Sequence, residues 1–147
     1  MKRLVHRNKQ AFEESLTQAE IAEKKAESFE NKKQGTKKRI YNKREQHNKH
    51  DIIYNNNVFL GDAHAQQKFL EALSSYNAGI LKGSITWTLK NGNTVDLNES
   101  DIKAIASQLL NRENANYEHA RNLIELVESA QNLDELEAID NDSGWTN

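Results

Sequence analysis

A chain of 147 residues with 36% hydrophobic content suits one modest domain plus an extension, not two independent cores. It has no cysteine and no proline, which excludes disulfides and thiolate metal sites and permits long uninterrupted helices. Its net charge of −2 conceals a division, since residues 1–50 hold 14 Lys/Arg against 7 Asp/Glu and residues 51–147 hold 6 against 15. The two parts should attract each other or different partners, and the simpler outcome is that the basic segment lies on the acidic one or on another copy.

The N-terminus Met1-Lys-Arg-Leu-Val-His6 lacks the apolar core of a signal peptide. Apolar runs such as Val58-Phe-Leu60 are too short to cross a bilayer. The expectation is a soluble chain, made in the cytoplasm, without membrane insertion. From Phe12 the apolar and small residues recur at Phe12, Leu16, Ala19, Ala22, Ala26 and Phe29. Steps of three and four set them in one narrow helical stripe, similar to a coiled-coil seam. With so much alanine over barely three heptads, such a helix needs a partner surface to persist. Gly35 is expected to break or bend it. Lys32 to Lys49 is basic and polar, with Ile40 and Tyr41 as its large apolar anchors, and reads as a second helix or a partly ordered linker.

At Ile52 the texture changes. Ile52-Ile-Tyr54 and Val58-Phe-Leu60 flank Asn55-Asn-Asn57, and asparagine tolerates positive φ, so a short hairpin is expected. Asp62 should cap a helix with apolar positions Phe69, Leu70, Leu73 and Tyr76, ended by Gly79 or Gly83. A second hairpin follows, in which Ile85, Trp87 and Leu89 alternate with polar residues, as do Val95 and Leu97. A two-residue Asn91-Gly92 turn would put the apolar sets of its strands on opposite faces. A three-residue loop, Lys90-Asn91-Gly92, pairs Trp87 with Val95 and Ile85 with Leu97, with Gly92 at the left-handed position of a G1 bulge. Asn98 with Asp101 then forms a capping box for a helix of about 30 residues, roughly 45 Å long. The stretch Asn111 to Asn116 is its weakest part. Asn132 and Glu135 open a short last helix over Leu133, Leu136 and Ile139, and a polar tail holds Trp145.

Candidate chemistry is sparse. His47 and His50, three apart, could meet one metal ion on a helix, but neighbouring lysines repel a cation and no third ligand stands at a recognisable spacing. Paired carboxylates such as Glu13-Glu14, or Glu125 with Glu128, occur on any charged helix face. No phosphate loop, nucleophile elbow or zinc-protease pattern is present. The run Lys32 to Arg44, with Lys37, Lys38 and Arg39, could neutralise phosphates while Tyr41 stacks on a base, though the acidic remainder would repel the same polyanion. Trp87 falls on the apolar face of its strand and reads as core. Trp145 either folds back or docks on a partner.

The run Ile85-Thr-Trp-Thr-Leu89, Thr94-Val-Asp-Leu97, the helix after it, the ending Leu133-Asp-Glu-Leu-Glu-Ala-Ile-Asp140 and then Gly144-Trp145 resemble a family. It is a domain of unknown function common in tail-fibre and tail-assembly proteins of tailed bacteriophages and prophages, and the likeness covers about residues 52–146. Family members often carry a basic, alanine-rich helix before the hairpin, similar to Thr17–Lys49 here. The resemblance implies a virion-tail location after synthesis in the host cytoplasm, other tail proteins or a second copy as partners, no cofactor and no enzymatic activity. The fold expected is a helix-rich α+β one, with two short β-hairpins each followed by a helix, a long C-terminal helix and an N-terminal helical arm. Residues 1–50 would be the basic arm or linker, and 51–147 a small phage-tail-associated domain. The arm residues Phe12, Leu16, Ala19, Ala22, Ala26, Phe29, Lys37, Lys38, Arg39 and Tyr41, together with Trp145, are the candidate partner-binding set. The expected role is a tail structural or adaptor protein. The alternatives are a fibre-assembly chaperone and, from another class, a nucleic-acid-binding regulator using the basic arm.

Overall fold

Thr17 is the first of the residues described by a computed structural model of the chain, which covers 17–147. Its hydroxyl accepts a hydrogen bond from the Glu20 amide at 3.2 Å while the Glu20 carboxylate accepts one from the Thr17 amide at 2.7 Å. This capping box opens helix α1, Gln18–His47, which runs for 30 residues. The break expected at Gly35 and the separate helix or linker expected after it are both corrected, because α1 is continuous through that glycine. A glycine inside a helix costs about 1 kcal/mol. Burial of Ile40 alone, at 0% exposure, is worth about 2 kcal/mol and outweighs it.

Strands β1 (Ile52–Tyr54) and β2 (Asn57–Phe59) form the first hairpin, with Tyr54 opposite Asn57. Asn55 and Asn56 have φ of 46° and 61°, the two left-handed residues that a two-residue turn between twisted strands requires. Asp62 caps helix α2 (Ala63–Asn77) by accepting from the Ala65 amide at 2.9 Å. Its buried stripe is Ala65, Phe69, Ala72 and Tyr76. Leu70, expected among the apolar positions, is 54% exposed, since it follows Phe69 by one residue and so points about 100° away.

Strands β3 (Ile85–Thr88) and β4 (Thr94–Leu97) pair Trp87 with Val95 and Ile85 with Leu97, the register that keeps both apolar sets on one face. Asn98 and Asp101 close a capping box at the start of helix α3 (Glu99–Ser129). Asn132 caps the short helix α4 (Leu133–Glu137). The fold is helix-rich α+β.

Helix α3 serves two cores. Its first half packs Ile102, Ile105 and Leu109 against Phe59, Phe69 and Leu97, and Trp87 lies half-buried beside them with its ring stacked on Phe69 at 4.1 Å. Its second half packs Ala120, Leu123 and Val127 against Ile40 of α1 and Leu136 of α4. Lys33, Thr36 and Ile40 are therefore interior residues of the same subunit, and no break in packing falls at residue 50. Truncating Ile40 to alanine should cost about 2–4 kcal/mol in chemical denaturation. Ala26→Ser, on the outward part of the same helix, should change stability by less than about 0.5 kcal/mol.

Candidate partner-binding surface

Helices α1 and α3 run antiparallel. Lys33 Nζ donates to the Glu128 carbonyl at 3.0 Å, the Arg44 guanidinium lies 4.1 Å from the Tyr117 ring centre, and the Asn48 side chain accepts from Asn116 at 2.8 Å. Because α3 ends at Ser129, the part of α1 before Phe29 has no α3 turn to lie on. Residues 17–32 are exposed except for half-buried Ile21 and Phe29. Ala19, Ala22 and Ala26 thus stand on an uncovered face, and Phe29 joins the edge of the second core. Phe12 and Leu16 lie outside the described residues. The uncovered stripe continues Ala19, Ala22, Ala26 and Phe29 directly into the buried positions Lys33, Thr36 and Ile40, so one seam has a covered half and an open half.

Some of the basic residues further along are matched within the chain. Lys37 pairs with Glu128 and Lys43 with Asp142. The hydrogen bond from Lys37 holds the Glu128 carboxyl below its usual range and raises the Lys37 ammonium, with the charge of Lys33 adding to the first effect. Arg44 bonds Glu45 at 2.9 Å. Lys38 and Arg39 are exposed and make no ion pair among the described residues. Tyr41, 44% exposed, lies beneath Arg44.

Between the two cores sits a polar junction. Arg112 is 2% exposed and makes no ion pair among the described residues; its guanidinium donates to the carbonyls of His50 at 2.6 Å, Asn48 at 2.5 Å and Gly61 at 3.3 Å. Burial pulls this group below its usual range, with Asp51 and Glu113 partly opposing. Gly61 is dictated by the same crossing, since a Cβ there would lie 1.7 Å from the His50 carbonyl oxygen. One turn on, fully buried Asn116 donates to the Thr146 carbonyl at 2.9 Å and accepts from the Thr146 amide at 2.8 Å. It thereby clamps the tail by its backbone.

Trp145 is consequently taken up by its own chain. Its ring stacks on His47 with centroids 5.6 Å apart and meets His119 edge-on at 4.6 Å, and its indole N–H donates to Asn141 at 3.0 Å. His47 also stacks on His50 at 5.2 Å, so the pair proposed as metal ligands forms part of an aromatic ladder. Among the described residues no group of three His, Asp or Glu side chains is placed to hold a metal ion, and no helix is long and apolar enough to cross a membrane.

Sequence reasoning missed Asn48, Gly61, Arg112 and Asn116. A signal was available for the last two, because Arg112 and Asn116 continue the spacing of Ile105, Leu109, Ala120 and Leu123 and so lie on the buried face of α3. Residues 30–142 match the family described as a domain of unknown function, DUF4376. The chain belongs to that family. Comparison with curated proteins and with solved structures finds no match. The DUF4376 span begins at Glu30, one residue after the open part of the α1 seam gives way to the packed part, and ends just before the clamped segment Ser143–Asn147.

Asn116→Ala should destabilise the protein by about 2–3 kcal/mol, because it strands the backbone groups of Thr146 and the Asn48 amide oxygen. Trp145→Ala made in that background should cost less than in the wild type, a coupling that a double-mutant cycle reads directly. Glu128, with its pKa lowered by Lys37, contributes stability above its ordinary value near 4.5 that is lost as pH falls through the lower folded value. The stability difference between wild type and Glu128→Gln should therefore shrink in acid and be largest near neutrality, as urea titrations at successive pH values would show.

Proposed function

We propose that this protein is a noncatalytic structural or adaptor component of the tail of a bacteriophage, attached through the open half of α1. The observation that carries this reading is the divided seam. A helix whose stripe is buried from Lys33 onward and uncovered over Ala19, Ala22 and Ala26 presents a rigid docking edge rather than a loose tail. The second half of α1 anchors the first, so little of the ordering entropy of a short alanine-rich helix is left to be met on binding. The setting is taken from the resemblance of the Ile85–Leu97 hairpin to tail-fibre and tail-assembly proteins; the DUF4376 match covers the same hairpin.

The flanks of the open seam favour a helical partner. Glu23 and Glu30 lie on one side of the stripe and Lys25 and Lys32 on the other. Two such helices set parallel bring Lys25 of one near Glu30 of the other, whereas antiparallel pairing opposes like charges. A second copy, or a tail protein with the same charge order, meets this requirement. The nucleic-acid reading draws less support, because Lys37 and Lys43 are matched by the protein's own carboxylates.

The double variant Ala22→Glu/Ala26→Glu, in full-length protein supplied to a phage lacking its own copy, should fold with an unchanged melting temperature. Its amount in purified particles, read by mass spectrometry, should fall at least about tenfold. Normal incorporation would overturn the attachment role. Absence of the wild-type protein from finished particles that nonetheless require it for assembly would assign it as a fibre-assembly chaperone.

A further inference from the structure

The outer edge of β3 opens on a cleft that neither the DUF4376 match nor the arm explains. Leu89 donates its amide to Asn93 at 2.7 Å, and Gly92 donates to Leu89 at 3.0 Å, so Leu89 and Asn93 form a hydrogen-bonded pair at the base of the loop. Bonded and unbonded pairs alternate in an antiparallel ladder. With Trp87 opposite Val95 and Thr88 opposite Thr94, the Trp87 pair is bonded, and the Thr88 and Thr86 pairs are not. Thr86 and Thr88 consequently turn their N–H and C=O groups away from β4, toward the outer edge. No backbone or side-chain partner meets them there among the described residues.

On that side lies an opening of about 380 Å³. Its walls are β3 and, across from it, Leu60, Asp62, Ala65 and Lys68; no residue of β4 lines it, which places it on the unpaired side of β3. The origin of the opening is local. The Lys90 amide donates to the Val58 carbonyl at 3.0 Å, a backbone bond by which the two hairpins start to join. Continued in that register, Leu60 would face Thr88 and Asp62 would face Thr86, and the two ribbons would become one four-stranded sheet. Instead Gly61 is held against the His50 backbone by its bond from Arg112, and Asp62 turns the chain into α2. The ribbons splay, and β3 keeps a free edge inside a groove.

We infer that this groove accepts an extended segment of another polypeptide, added to β3 as a strand through the backbone groups of Thr86 and Thr88. The row of unsatisfied donors and acceptors selects a polypeptide over a small apolar ligand, because only a strand returns the same alternating pattern. The walls specify its side chains. Trp87, Leu60 and Ala65 offer an apolar lining, so alternate residues of the incoming strand are small or medium apolar ones. The rim carries one carboxylate and one ammonium, Asp62 and Lys68, with one Asp62 oxygen occupied by the Ala65 amide, so it favours polar residues at the intervening positions of the strand. The apolar lining, the polar rim and the free backbone groups together point to a β-strand of alternating apolar and polar residues. This surface lies on the hairpin domain and does not depend on the attachment role of the arm.

A random heptapeptide display library panned on the full-length protein tests the inference, with Thr88→Pro as the counter-target. Proline at that position removes an outward N–H without removing a ladder bond, the one setting in which an edge strand tolerates it. Enriched peptides should alternate apolar and polar residues, and bind Thr88→Pro about tenfold more weakly. In the complex the Thr86 and Thr88 amides should gain protection from hydrogen exchange, while those of Trp87 and Leu89, already in the ladder, stay unchanged. Should Thr88→Pro fail to fold, the enriched peptide N-methylated at alternate amides makes the same comparison on the wild-type chain. A library that yields no enrichment, binding that survives both blocks, or protection that maps away from β3 would overturn the proposal.

Discussion

The fold depends on one buried cation that makes no ion pair among the described residues. Arg112 gathers the carbonyls of Asn48, His50 and Gly61, which belong to the end of α1, the lead into β1 and the exit from β2. Taking a guanidinium out of water costs several kcal/mol unless its N–H groups are met. Here three backbone dipoles meet most of that demand while their own need for donors is met by the same group. Gln66 adds bonds at 2.7 and 2.8 Å to the carbonyls of Asn48 and Gly61, so the junction is a network rather than a single contact. The chain has to make a tight crossing at this point, and Gly61 is the residue that allows the two backbones to touch.

From that junction the two halves of α3 diverge in task. Upstream it carries the hairpins and α2 on an aliphatic and aromatic core; downstream it carries α1 and α4 on a smaller one. The second core alone is modest, and the clamps at Asn116, Trp145 and Lys33 supplement it with directional bonds. Because α1 is bound over its second half, its first half is held out from the body at a defined angle. Part of the charge division along the chain serves this internal docking, with Lys37 and Lys43 facing Glu128 and Asp142. The same junction, by pulling Gly61 inward, separates β2 from β3 and leaves the groove beside Thr86 and Thr88.

Local chemistry was legible wherever one short segment determines its own conformation. The caps at Asp62, Asn98 and Asn132 follow from side chains that reach amides within the next turn, and the loop ending in Gly92 follows from the need to keep Trp87 and Val95 on one face. Gly35 misled because an intrinsic helix penalty of about 1 kcal/mol was judged without the packing of Lys33, Thr36 and Ile40 that exceeds it. The stretch Asn111 to Asn116 misled for a related reason. Its polar residues suggest weakness, whereas Arg112 and Asn116 are buried on the working face of α3, both bonded to Asn48 more than 60 residues earlier and Asn116 also to Thr146, 30 residues later.

By itself, then, the sequence determined the number and order of hairpins, the helices from Asp62 onward with their N-caps, the register of the second hairpin and the existence of a seam on the first helix. These rest on periodicities and on side chains bonding their own neighbourhood. Only the tertiary structure decided that half of the seam is internal, that Trp145 returns to its own chain, and that a buried cation making no ion pair among the described residues joins the two cores. Each of those outcomes is a contact between segments far apart in the chain. The seam and Trp145 meet side chains that are remote in the chain, and Arg112 meets backbone carbonyls, which every residue carries, so no local pattern announces these contacts.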